Sequence, residues 1–138
     1  MKLRNDGYYT NRHSCFLLQY HLVLVTKYRH PVICGPVEVT LKQYIRDFFE
    51  KHEMPVHAFE CMPDHVHILF DAYPNVNLAE LVNALKSASS RTIRKLYPEK
   101  IKQYYWKPYF WSQSYFIGTV SDRTADAVEK YINNQKNK

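Results

Sequence analysis

Between Ser14 and Thr26 the chain reads SCFLLQYHLVLVT, too rich in Leu, Val and aromatic residues, and too poor in helical spacing, to be anything but a long strand. Its apolar run implies burial on both faces for part of its length. KYRHPVICGP follows, where Pro31, Gly35 and Pro36 read as a loop closing onto a helix N-terminus. From Val37 to Glu53 the periodicity changes. Val37, Leu41, Tyr44, Ile45, Phe48 and Phe49 recur at three and four, with Lys42, Arg46, Asp47 and Glu50 opposite, the pattern of an amphipathic helix.

Two further strands are expected at MPVHAFECM (54–62) and HVHILFD (65–71), joined by the turn dipeptide Pro63-Asp64. Asn77 is placed to cap a second helix, since Leu78, Leu81, Val82, Leu85, Ile93 and Leu96 keep helical spacing up to Pro98. EKIKQYYWKPYFW reads as irregular, and SYFIGTV (114–120) as a fourth strand. Ser121 or Asp122 would cap a terminal helix running to about Gln135. The order strand, helix, strand, strand, helix, strand, helix is an α+β, ferredoxin-like βαββαβ arrangement with an additional C-terminal helix. A length of 138 residues suits one domain spanning 1–138, with the polar, turn-rich residues 1–13 as a flexible arm.

Lys and Arg number 19 against 13 acidic residues, a formal charge of +6, and the chain carries 12 tyrosines. Positive charge attracts phosphates and flat rings stack on unpaired bases, so composition points toward nucleic acid, although a basic protein with tyrosines in its core has the same composition. Three cysteines without CxxC spacing argue against a disulfide scaffold and a zinc knuckle. No stretch approaches the roughly 20 apolar residues of a membrane span, and the start lacks a signal-peptide core. A soluble, cytoplasmic protein is expected.

His65 and His67 lie two apart on an expected strand, so they leave one face about 6.6 Å apart along the backbone and can converge on one metal. The alternative is a pair of half-buried, hydrogen-bonded imidazoles. Tyr131 and Gln135 are four apart on the terminal helix, hence on one face about 6 Å apart, although Val128 on that side also favours simple packing. Combined, the two pairs give specific chemistry. A phenol with a pKa near 10 is a poor nucleophile at neutral pH, but phosphodiester attack proceeds if a cation draws charge from the phosphate. Two imidazoles and an amide oxygen from Gln135 suit Mg²⁺ or Mn²⁺ with positions left open. Zinc on Cys61, His65 and His67 is a rival that lacks an evident fourth ligand.

PDHVHILF (63–70) resembles the histidine-hydrophobe-histidine motif of HUH nucleases, and YINNQ (131–135) is similar to the tyrosine-bearing motif of IS200/IS605-family single-tyrosine transposases. Counterparts of residues 19–37, 62–70, 85–95 and 110–121 occur there in the same order. The resemblance implies an enzyme that cleaves and rejoins single-stranded DNA at element ends bearing hairpins. Tyr131 would join the 5′ phosphate and free a 3′ hydroxyl, with His65, His67 and Gln135 holding the divalent ion. It also implies a homodimer, and leaves open whether Tyr131 serves its own protomer or the partner. Lys27 and Arg29 in the loop, and Lys86, Arg91, Arg94 and Lys95 on or near the second helix, are candidate DNA contacts, each equally readable as a solvated charge. Asn133 stands where relatives often carry an acid.

Two alternatives remain. A domesticated relative that processes repeated extragenic palindromes would follow the tyrosine with a His-containing, Pro-ended segment, which YINNQKNK lacks. A non-catalytic RNA-binding ferredoxin-like module would place stacking aromatics on its central strands, where this chain has imidazoles.

Overall fold

The computed structural model describes residues 1–120 and 124–135. Its main sheet has four strands in the order β5-β6-β4-β7, formed by β4 (Leu18–Val25), β5 (Val56–Met62), β6 (His65–Ala72) and β7 (Phe116–Thr119). Every neighbouring pair is antiparallel. Helix α1 (Pro36–Lys51) connects β4 to β5, and α2 (Leu78–Leu96) with the short α3 (Pro98–Lys102) connects β6 to β7. Helix α4 (Thr124–Asn134) follows β7, so the expected ferredoxin-like order with an added helix carrying Tyr131 is found. The expected cap at Ser121 or Asp122 lies outside the described residues.

Each face of β4 is buried by different partners. Leu22 and Leu24 join Val66, Ile68 and Phe70 of β6 in the main core beneath α1 and α2. Val23 and Val25 point the other way and pack with Val128 of α4, flanked by Phe116, Tyr131 and Ile132. α1 supplies Val37, Leu41, Ile45 and Phe49 to the main core at intervals of one turn. Gly35, at φ 57°, turns the chain into Pro36 at the start of that helix, a backbone conformation that suits glycine. On α2, Asn77 caps through its side chain, which accepts from Glu80 N at 3.1 Å. The buried face of α2 includes one polar residue, Ser89, whose hydroxyl accepts from the Trp111 indole at 2.9 Å.

Two expectations are corrected. The run 14–26 is not one strand: it breaks at Leu17, with β3 (Cys15–Phe16) belonging to a separate three-stranded meander. The other strands of that meander are β1 (Lys2–Leu3) and β2 (Tyr9–Thr10), so residues 1–13, expected as a flexible arm, include two short paired strands. Tyr9 is the anchor. Its ring stacks on Phe16 and its hydroxyl donates to the buried carboxylate of Asp71. Asp71 also receives Gln19 Nε2 at 3.0 Å and contacts His57 Nε2 at 2.6 Å, where a bulge in β5 lets His57 reach it. Sequence reasoning missed this because one buried aromatic with a hydrogen bond outweighs its exposed neighbours.

Tyr9→Ala should therefore destabilise the fold by about 2–4 kcal/mol in denaturant melts, through lost burial and a lost donor to Asp71. An unstructured arm would give no measurable change.

Candidate active site

Strand alternation on β6 sends Val66, Ile68 and Phe70 into the main core and leaves His65 and His67 on the opposite face, the side that carries α4. In register, His65 lies beside Val25 and His67 beside Val23 of β4. Asp64, in the hairpin turn, holds His65 by an Nδ1···Oδ1 contact of 2.8 Å. Its other oxygen receives Arg29 Nε at 2.6 Å, and Arg29 Nη1 reaches the Ile132 carbonyl of α4 at 3.4 Å. An ionised carboxylate accepts, so Nδ1 of His65 donates to Asp64 and Nε2 is the nitrogen on the other side of the ring. Burial would raise the Asp64 carboxyl, but hydrogen bonds from His65 and Arg29 and the Arg29 charge outweigh it and hold its pKa below the ordinary value.

His67 meets a third imidazole. His21 Nδ1 of β4 lies 2.6 Å from His67 Nε2, with the rings 4.9 Å apart and nearly parallel. Burial lowers the pKa of both, and for His67 the neighbouring His21 lowers it further. One ring nitrogen donates to the other, with the roles set by the tautomer.

Tyr131 and Gln135 meet on a serine. The Tyr131 hydroxyl lies 2.8 Å from Ser114 Oγ, which donates to Gln135 Oε1 at 3.1 Å; Ser112 Oγ donates to the same oxygen at 3.3 Å. The Tyr131 ring leans on Phe116 of β7, and Gln135 is buried. Burial raises the Tyr131 pKa, partly offset by the Ser114 hydrogen bond, so the phenol is protonated at rest. α4 thus sets Tyr131 against Val23, Val25 and Phe116, on the same side of the sheet as the histidines, and Gln135, just past its end, meets Ser112 and Ser114. Cys61 is on the other side, among the main-core residues, and burial pushes its thiol up to about 11. That removes the zinc reading of Cys61 with His65 and His67. Among the described residues, no group of three or more His, Cys, Asp or Glu is placed to share a metal.

Residues 14–135 match the family model described as "Transposase IS200 like". The chain belongs to the IS200-like transposase family. It is 41% identical over 123 residues to the ISDra2 transposase TnpA of Deinococcus radiodurans, covering 89% of this chain and 87% of that one. The transposase for insertion sequence element IS200 of Salmonella typhimurium is 27% identical over 123 residues, covering 89% and 80%. A crystal structure of a putative transposase from Deinococcus radiodurans R1 superposes with a TM-score of 0.86 at 37% identity, over 94% of this chain and 99% of that one. A REP-associated tyrosine transposase bound to a REP hairpin shares the fold, at a TM-score of 0.58 and 9% identity over 90% and 70%.

The basic candidates of this IS200-like chain divide by surroundings. Lys86, Arg91 and Arg94 line a groove of about 390 Å³ between α2 and residues 108–113, whose wall includes Ser112, the partner of Gln135. Lys86 is half-buried, donates to the Gln113 carbonyl at 2.8 Å and has its pKa lowered by burial. Lys95 is exposed on α2 and is not part of that lining. The Lys27 ammonium sits 5.1 Å from both the Tyr28 and Tyr109 rings. Arg29 is engaged by Asp64 and Ile132 and braces the site from within. No helix among the described residues is long and apolar enough to cross a membrane.

Sequence reasoning missed His21, Asp64, Ser112 and Ser114. His21 interrupts an apolar strand, and the two serines alternate in FWSQSYF, but only strand register and helix packing reveal what they face. Because the Asp64 pKa is lowered on folding, its stabilisation is present above the unfolded value near 4 and is lost as pH falls through the folded value. Asp64→Asn should cost roughly 1–2 kcal/mol at pH 6, and the gap to wild type should close in melts below pH 4. A gap independent of pH would refute this account of the carboxylate.

Proposed function

We propose that the chain is a transposase that cleaves and rejoins single-stranded DNA at hairpin-bearing element ends, with Tyr131 as nucleophile. The observation that carries this reading is the placement of Tyr131 and Gln135 by α4 on the same side of the sheet as His65 and His67, with Arg29 and Asp64 linking helix to histidine. Attack by the Tyr131 oxygen forms the bond to the 5′ phosphate and breaks the bond to the 3′ oxygen, which leaves as a hydroxyl. The phenolic proton is thus lost and one is gained on the 3′ oxygen, and rejoining reverses the exchange without an external energy source.

A divalent cation, Mg²⁺ or Mn²⁺, held by His65, His67 and Gln135 would supply positive charge beside the scissile phosphate. The donor chemistry fits. His65 is oriented by a carboxylate on its far nitrogen, the arrangement common around metal-bound histidines. His67 and Gln135 each hold a hydrogen bond, to His21 and to the serines, which ligation would exchange. Ser114 contacts both the phenol and the amide, and so sets the position of the nucleophile relative to that ligand.

The groove lined by Lys86, Arg91 and Arg94 is suited to the phosphate backbone of the hairpin, with Lys27 and Lys95 as further contacts. The neighbour whose structure holds a REP hairpin shares the fold, and the greater identity to the ISDra2 and IS200 proteins favours a mobile element over palindrome processing. We also propose a homodimer. In the single chain α4 rests on its own sheet, through Val128, Tyr131 and Ile132.

A labelled single-stranded hairpin substrate with Mg²⁺ or Mn²⁺ tests this reading. Wild type should form a covalent protein–DNA adduct, and Tyr131→Phe should bind the same DNA without forming one. His65→Ala and His67→Ala should each slow adduct formation by roughly 100-fold or more, the loss of several kcal/mol of charge stabilisation. An adduct that persists in Tyr131→Phe would overturn the assignment.

A further inference from the structure

The turn after β4 and the segment 104–109 form a surface that the cleavage chemistry does not use. Trp106 is 86% exposed, with the Lys107 ammonium 4.7 Å from its ring. Tyr28 is 42% exposed and makes edge contacts with Tyr109 at 6.0 Å and His30 at 5.8 Å. Lys27 lies over both Tyr28 and Tyr109, and Lys100 lies 5.8 Å from the Tyr104 ring. Among the described residues, Lys27, Lys100 and Lys107 make no ion pair with a carboxylate.

Tyr28 and Arg29 both adopt left-handed backbone, at φ 58° and 56°, a conformation that bulky residues avoid. The turn is held there from several sides. Lys27 N donates to the Phe110 carbonyl, Tyr105 OH to the Lys27 carbonyl at 2.7 Å, and Thr26 Oγ1 to the His30 carbonyl at 2.7 Å. Tyr28 is thereby kept outward on a rigid base while its neighbour Arg29 is fixed inward on Asp64, beside His65. Exposed rings flanked by unpaired cations match one ligand chemistry in particular: planar bases on a phosphate chain.

We propose that the exposed rings of Trp106 and Tyr28 are a stacking platform for unpaired bases of single-stranded DNA, with Lys27, Lys100 and Lys107 neutralising the adjacent phosphates. The proposal rests on the reading of the chain as a single-strand DNA enzyme and adds to it how unpaired nucleotides beside the site are gripped. Stacking tolerates any base, so the platform binds without regard to sequence. Duplex DNA keeps its bases stacked on each other and offers the rings nothing beyond its phosphates.

The test uses the full chain, EDTA in place of metal, and two probes, a 16-nucleotide oligothymidylate and a 16-nucleotide abasic strand of equal charge. Trp106 should be the responsive fluorophore, since the other tryptophan, Trp111, is buried. Oligothymidylate should quench the emission and the abasic strand should not. Trp106→Ala should lose the quenching and bind oligothymidylate roughly tenfold more weakly, with abasic binding unchanged. Tyr28→Gly, which keeps the left-handed backbone, should weaken oligothymidylate binding several-fold. Equal affinity of wild type and Trp106→Ala for oligothymidylate, or equal quenching by the abasic strand, would overturn the platform. The readout needs neither metal nor cleavage. Quenching without any adduct in the cleavage assay would support the platform and count against catalysis by Tyr131, whereas an adduct without quenching would overturn the platform alone.

Discussion

Strand β4 carries buried side chains on alternating faces at four successive positions, Leu22 to Val25, and the rest of the molecule is arranged around that double burial. Leu22 and Leu24 require α1 and α2 above the sheet, whereas Val23 and Val25 require a second cover below it. α4 is that cover, through Val128, Tyr131 and Ile132. The hydrophobic effect that closes the lower face therefore also delivers the tyrosine to the side where the histidines of β6 emerge. In this fold, stability and site assembly share one set of contacts.

Hydrogen bonds then refine what packing places. Arg29 spans the gap between α4 and the β5–β6 turn, and Asp64 passes that restraint to His65. On the other side Ser112 and Ser114 hold the Gln135 amide, and Ser114 also meets the Tyr131 phenol. His21 and His67 are joined by a hydrogen bond between ring nitrogens. Each candidate group is thus held by a neighbour from a different element, which suits a site whose geometry must survive the arrival of a charged strand. The same Arg29 that braces the interior leaves its neighbour Tyr28 facing solvent beside Lys27, so the strained turn joins the inside of the site to an aromatic, cationic exterior.

Much of this was legible from residue order. Hydrophobic patterning marks α1, the β5–β6 hairpin and α2 to within a residue or two and finds β4 inside a longer apolar run, because burial of one face imposes a spacing that local sequence records. His65 with His67 and Tyr131 with Gln135 were legible for the same reason, since a strand or helix dictates which neighbours share a face. The meander was not, because Tyr9 and Asp71 are 62 positions apart and neither belongs to a periodic pattern.

The sequence by itself determined the elements of the main sheet with α1, α2 and α4, their order, and the pair of groups that β6 and the terminal helix each present on one face. Only the tertiary structure decided that the pairs lie on the same side of one sheet, that Cys61 lies on the other, and that Arg29 turns inward while Tyr28 turns out. Those outcomes depend on strand register and on which apolar face a helix covers. Both are settled by contacts between residues far apart in the chain, which no local pattern can encode.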